Sequence, residues 1–294
     1  MNVSSTPRRQ RCISGSALAA CAVLPYLLYV GAIVAVPAVT IMVEAFTGPG
    51  GHPTMGNVSA ALTGQYAMSL RESLILSAAS TAVAGVAGTV VALAVNSAHS
   101  PAVRRLAVTA SSVFASSGGV SLAFAFVAIL GSSGLLTEAL AHTGLNLYDH
   151  GFSLYSTFGL LIVYQFFLLP LAVLLMLPPI QEFRPEWREA SLILGAGPVT
   201  LWRHTVFPIL RPQFAAAMLV LFCQAFTSYA AASALTNGVI PLVPIQIGAL
   251  LDGDATAGQA NLGSALGLEM IAVMAAAGAG YAFTQRQAHR RAAS

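Results

Sequence analysis

Apolar residues along this chain come in long unbroken runs, with neither the two-residue alternation of a half-exposed strand nor the narrow stripe of a helix on a soluble core. Six runs reach the roughly 20 residues that a helix needs to cross about 30 Å of hydrocarbon. They predict helices over Leu18–Phe46, Ser73–Val95, Leu106–Leu130, Leu154–Leu177, Gln213–Leu235 and Gly263–Thr284. Alternating ten-residue segments, the signature of a membrane barrel, are absent. The runs are interleaved with small residues, as at Ala78, Ala82, Gly85 and Gly88. Small side chains let helix backbones approach where lipid supplies no hydrophobic drive. The pattern therefore predicts an all-α integral membrane bundle of six transmembrane helices.

Composition removes the soluble alternative. Of 294 residues, 56% are hydrophobic and 8% charged, and mean hydropathy is +0.77. An ordinary soluble domain carries about 25% charged residues, so this chain lacks the charge to clothe a water-facing surface. Length alone suggests two domains; the composition points to one membrane domain. Cys12, Cys21 and Cys223 are odd in number and far apart, with no disulfide framework and no zinc-ligand spacing. His52, His99, His142, His150, His204 and His289 are scattered over separate segments, so no metal or other cofactor is expected.

Charge sets the orientation. All thirteen basic residues are Arg. Arg8, Arg9 and Arg11, Arg104 and Arg105, Arg184, Arg188, Arg203 and Arg211, and Arg286, Arg290 and Arg291 all fall on one side of a six-span arrangement. Arg71 alone falls on the other. The positive-inside rule then puts both termini on the cytoplasmic side. An odd number of spans would separate the two basic tails. Leu18-Ala19-Ala20-Cys21 matches a lipoprotein cleavage box and Arg8-Arg9 a twin-Arg pair. The apolar run starts at that box and continues to Phe46, too long for a signal core, so the first helix is read as retained.

The connection Pro178–Pro212 reads PPIQEFRPEWREASLILGAGPVTLWRHTVFPILRP. Pro185 suits a first helical turn, and Glu186 and Glu189 suit its positive end. Trp187, Ala190, Ser191 and Leu194 share a face. Gly195-Ala196-Gly197-Pro198 predicts a break, and a second short helix is expected from Pro198 to about Thr205, before Pro208. On pattern alone this could be a surface hairpin with no partner.

The order of residues adds more. Glu189-Ala190-Ser191, then Gly195, then Pro208 nineteen residues after the Glu, resembles the EAA loop of permease subunits of type I bacterial ABC importers. That pattern runs E-A-A, three residues, G, nine residues, I-x-L-P; here Ser191 replaces the second Ala, Thr205 the Ile and Phe207 the Leu. The resemblance implies a tail 1–17, a first helix and loop 18–69, a five-helix permease core 70–284 containing the coupling loop 178–212, and a tail 285–294. It implies that Glu189, Ala190, Ser191, Gly195 and Pro208 couple the chain to a cytoplasmic ABC ATPase dimer. The further partners it implies are a second permease, identical or paralogous, and a periplasmic or lipid-anchored solute-binding protein. No G-x-x-x-x-G-K-[ST] phosphate loop is present, so the chain is expected not to be an enzyme and to take ATP hydrolysis from its partner.

Ser228, Tyr229, Asn237, Gly238, Pro244 and Ile247 resemble the spermidine/putrescine-like branch of that family, which also holds permeases for aminoethylphosphonate, iron and thiamine. The branch narrows the cargo without naming it. Within the spans, Glu269 is the clearest candidate for a path lined by polar groups, because ionisable groups in lipid are costly and often functional. Gln165, Gln224 and Tyr229 are further candidates; for all four, helix packing is the competing reading. Glu44 and Arg71 are expected near the interface. Pro170 is expected to bend the fourth span. A stand-alone secondary transporter or channel is the alternative; it would favour several charged or broken-helix sites at midspan and an inverted repeat, neither of which the sequence shows.

Overall fold

The computed structural model describes residues 15–292 apart from 49, 99, 145–147, 150, 183–192, 194, 196, 237–238 and 252–256. Among the described residues there are helices and no strands. They run α1 Gly15–Ala45, α2 Gly56–Ala61, α3 Gly64–Ser97, α4 Pro101–Ser116, α5 Val120–Leu130, α6 Leu135–His142, α7 Thr157–Gln181 and α8 Pro198–Leu201. A π-helical turn, Trp202–Val206, leads into α9 Phe207–Phe226, followed by α10 Ala230–Thr236, α11 Val243–Leu251 and α12 Ala257–Ala292. The end of the bundle that carries the 178–212 connection is termed inner, and the opposite end outer.

Among the described residues, six stretches are long and apolar enough to cross a membrane: Val23–Ala45, Gly64–Ser97, Val120–His142, Thr157–Gln181, Phe207–Phe226 and Ala260–Phe283. Each overlaps a predicted span. The expected edge of the core at residues 69 and 70 falls inside α3.

Two of the predicted spans, Leu106–Leu130 and Gln213–Leu235, are not single unbroken helices; their breaks lie just outside the apolar stretches Val120–His142 and Phe207–Phe226. The third is interrupted at Ser117–Gly119, between α4 and α5. Gly119 has φ +100°, a conformation that L side chains rarely adopt. The approach to the break is already weakened: Ser117 Oγ donates to Val113 O at 2.6 Å, and Ser116 Oγ donates to Ser112 O and Val113 O. These hydroxyls compete for the carbonyls that would extend the helix. The fifth span is interrupted at Thr227–Tyr229. There Thr227 N–H and Oγ1 both donate to Cys223 O.

The core is built around α7. It packs along α3 and α4 and against α9, while α12 packs on α1, α2 and α11. Gly85 and Gly88, buried on α3, are where these helices meet most closely: a Cβ on Gly88 would collide with Ala172 of α7, and one on Gly85 with Met218 of α9. Tyr164, Leu168, Leu221 and Leu76 fill the middle. Met176, Leu177, Ile180, Val206 and Leu210 close the inner end. α7 continues through Pro170, Pro178 and Pro179. The first span lies at the margin, touching the bundle chiefly through α12 and otherwise exposed.

Polar side chains tie the outer ends together. Asn57 Nδ2 donates to Ala45 O and Thr47 O, and Asn261 Nδ2 donates to Thr47 O at 2.7 Å. Ser264 Oγ donates to Glu44 Oε2 at 2.7 Å. Glu44, expected near the interface, is thus part of a clamp between α1 and α12. At the inner end Arg104 donates to both Asn96 O and Asn96 Oδ1, placing a cation at the C-terminus of α3, where the helix dipole favours one.

Candidate coupling loop and translocation path

Glu189, Ala190 and Ser191 lie outside the described residues. The second half of the connection is described. Gly195 has φ +75°, and a Cβ there would meet nothing within 4 Å. The turn thus needs a left-handed residue for its backbone, not for lack of space. A helix starts at Pro198, as expected, but does not stop before Pro208. It widens into the π-turn, where Phe207 N–H donates to Trp202 O five residues back, and continues into α9. Pro208 has no N–H to give to the preceding turn, and the widened turn sits where that donor is missing. Pro208 itself is exposed in the first turn of α9. Leu201, Val206 and Leu210 pack against the inner end of α7 through Met176, Leu177 and Ile180. The loop's second half is therefore rigidly continuous with the fifth span.

The four candidate path residues occupy different settings. Tyr229 stands at the break between α9 and α10 and is 41% exposed. A Cβ on Gly248 would lie 2.8 Å from its ring and hydroxyl, so the glycine lets α11 close on the aromatic. With Pro244, Ile247, Gly248 and Met270, Tyr229 lines an open cavity of about 260 Å³. Glu269 directly precedes Met270 on α12. Both of its carboxylate oxygens are sealed from solvent and have no hydrogen-bond partner among the described residues. Gln165 faces α3 instead: its Nε2 donates to Ser80 O at 3.2 Å and to Leu161 O at 3.3 Å. Gln224 is exposed on α9. The structure thus brings Tyr229 and the residue beside Glu269 to one cavity, while Gln165 is turned into the α3–α7 contact. A second open cavity, about 300 Å³, lies at the inner end between α7 and α9, lined by Leu175, Pro179, Glu182, Gln213, Ala217 and Val220 among others.

Sequence reasoning missed two polar contacts at the fifth-span break. Tyr164, 1% exposed, donates its hydroxyl to Ser228 O at 3.0 Å. Ser73 Oγ accepts from Val243 N at the start of α11, at 2.9 Å. The signals were present. A tyrosine inside an apolar run needs a partner for its hydroxyl, and Ser69, Ser73, Ser77 and Ser80 recur at helical spacing on α3.

No family model matches the chain. One curated relative, a spermidine/putrescine transport system permease protein PotC homolog of Mycoplasma genitalium, is 34% identical over 73 residues. That match covers 25% of this chain and 26% of the relative, so it spans about a quarter of the relative's length. Two solved structures are similar over nearly the whole chain. A crystal structure of a bacterial ABC transporter involved in the import of the acidic polysaccharide alginate matches with TM-score 0.71 at 17% identity, over 95% of this chain and 97% of that one. The bacterial alginate ABC transporter in complex with alginate pentasaccharide-bound periplasmic protein gives TM-score 0.72 at 17% identity, over 96% and 98%. Six apolar helices in that arrangement make this chain a multi-pass integral membrane protein with the fold of a type I ABC importer permease.

Proposed function

We propose that the chain is the membrane-spanning permease subunit of an ATP-driven importer, forming the path for a small solute delivered by a binding protein. The observation that carries this reading is the likeness of fold over almost the whole chain to an ABC transporter. The 34% local match to a spermidine/putrescine permease homolog agrees with it. The EAA-like spacing in the connection between α7 and α9 supports coupling to an ATPase dimer through Glu189, Ala190, Ser191, Gly195 and Pro208. One of the similar structures includes a solute-loaded periplasmic protein, which supports a binding-protein partner. A second permease would complete the path. Both termini are read as cytoplasmic, on the side of the twelve Arg residues.

Pull-down of the full chain from its native membranes is expected to bring down an ATPase carrying a G-x-x-x-x-G-K-[ST] loop. Uptake into vesicles should require ATP on the side of Gly197, with reporters inside after Gly197 and outside after Gly253. Solute movement by the purified chain alone, without ATP, would establish the stand-alone transporter instead.

The cargo is proposed to be polyamine-like, with an aminoethylphosphonate-like solute as the competitor. Glu269 separates them. A carboxylate at a helix centre costs about 2.5–3.5 kcal/mol on translocon scales, a cost that a compensating partner or a water-filled path would lower, and such a path would bring it to a passing cation. Glu269→Gln keeps shape and removes charge. Uptake of a cationic cargo is expected to fall about tenfold, equivalent to about 1.4 kcal/mol, with expression and ATPase association unchanged. Uptake equal to wild type would assign Glu269 to packing. Faster uptake would indicate an anionic cargo.

A further inference from the structure

The interruptions in the third and fifth spans are neighbours. A Cβ built on Gly119, in the first break, would reach 4.0 Å from Ala230 Cβ, just past the second. The half-helices on the outer side of the two breaks, α5 and α10, pack on each other. The halves on the inner side pack elsewhere: α4 along α7, and α9 against α3 and α7. Two adjacent spans are therefore divided at one level into an outer pair and inner elements bound to the core. Interruptions of this kind are the few backbone positions at which a hinge motion can be absorbed.

The outer pair is held to the core in part by apolar and aromatic packing: Phe126 of α5 meets Phe166 of α7 edge to face, with ring centroids 5.6 Å apart. α5, α7 and α10 also share one apolar cluster, with Leu122, Leu160, Ala232 and Leu235 among its members. At the fifth-span break itself, among the described residues, the hydrogen bonds reaching in from other helices are the Tyr164 hydroxyl on Ser228 O and, close by, Val243 N–H on the Ser73 hydroxyl at the start of α11. Between them lies a cavity of about 10 Å³ lined by Ser73, Ser77, Tyr164, Ala225, Ser228 and Leu242 among others. That is room for one water among several hydrogen-bonding groups. A helix carbonyl released inside a membrane protein needs such a donor, and here it comes from a different span.

We propose that Ser117–Gly119 and Thr227–Tyr229 form a paired hinge about which α5 and α10 swing as one body, and that Tyr164 is the latch that holds it closed. Opening would separate Ser228 from Tyr164 and expose the hydroxyl-lined cavity wall. The device goes beyond the transport reading and is measurable without it.

The test is thiol accessibility in membrane vesicles containing the full chain, with Cys12, Cys21 and Cys223 replaced by Ser. Ala225→Cys places a thiol on the cavity wall, at a position 3% exposed. Ala92→Cys places a control thiol in the inner cluster, away from the hinge and 0% exposed. The probe is methanethiosulfonate ethylammonium. Adding Tyr164→Phe removes one hydrogen bond and is expected to speed labelling at 225 about fivefold, the population shift that one such bond supports, while labelling at 92 is unchanged. An unchanged rate at 225 overturns the latch. An equal rise at 92 also overturns it, by showing general loosening. Should Tyr164→Phe not insert, Ser73→Ala removes the second directional contact and is read the same way. These outcomes do not depend on uptake, so they stand apart from any failure of the permease reading.

Discussion

Gly195→Pro is expected to abolish ATP-dependent uptake, by roughly tenfold or more, while leaving insertion intact. The physical reason lies in one dihedral. Gly195 sits at φ +75°, and the proline ring locks φ near about −65°. The turn cannot form with proline, so the course of the chain entering α8 would change. The bundle should not notice directly, because Gly195 is exposed and a Cβ there would touch nothing within 4 Å. Beyond the turn, Leu201, Val206 and Leu210 fasten the chain to the inner end of α7. Displacement at the loop would thus pass into α9 through a continuous helix. Gly195→Ala serves as the graded case, since a left-handed alanine costs on the order of 1 kcal/mol, and a several-fold loss is expected. Glu189→Lys, in the part of the motif known from its resemblance, should weaken association with the ATPase. Uptake and co-purification are measured together in each variant. Wild-type values for both Gly195→Pro and Glu189→Lys would show that this loop is not the coupling element.

The span count was legible because hydrocarbon thickness imposes a length and the apolar runs meet it. The breaks were not, for a physical reason. A hydropathy window averages over about twenty residues, and Gly118, Gly119, Thr227 and Ser228 are too few and too mild to lower it. A membrane helix can be interrupted without a polar sequence when the donor for its freed carbonyl comes from another span, as Tyr164 does for Ser228. Such a partner, 64 residues away in sequence, has no local signature. The connection 178–212, proposed above as the coupling loop, shows the opposite case. Its information is in spacing, and the glycine that the spacing marks does adopt a conformation suited to glycine. The path candidates fall between. Residue type marked Gln165, Gln224, Tyr229 and Glu269 as polar groups in apolar runs, but only helix rotation decides which way each points. Rotation turned Gln165 to Ser80 O and set Tyr229 on an open cavity.

Rotation also decides the fate of two glycines that look equivalent in sequence, and it predicts opposite outcomes for the same substitution. Gly85 and Gly88 are both buried on α3. A Cβ on Gly85 would collide with Met218 Sδ and otherwise lie 3.5 Å from Met218 Cε and 3.8 Å from Leu221 Cδ1. The collision is with the far end of a flexible thioether, which can rotate away. A Cβ on Gly88 would collide with Ala172 Cβ and also lie 3.0 Å from Leu169 O and 3.3 Å from Val173 N. None of those atoms can move without the α7 backbone. Alanine gains about 1 kcal/mol over glycine in helix propensity at either site. At Gly85 that gain is close to offsetting the displacement of Met218, so Gly85→Ala should leave stability near wild type. At Gly88 the overpacking cost, about 1–3 kcal/mol for an added methyl in a close-packed interior, exceeds the gain. It does so at the α3–α7 contact, the most extensive helix pair in the bundle. Gly88→Ala should therefore lower the unfolding midpoint in detergent by about 2–4 °C, and Gly88→Val should prevent accumulation of folded chain. Paired thermal unfolding of Gly85→Ala and Gly88→Ala decides it: equal midpoints would mean that α3 and α7 can separate without penalty and that Gly88 does not set their distance.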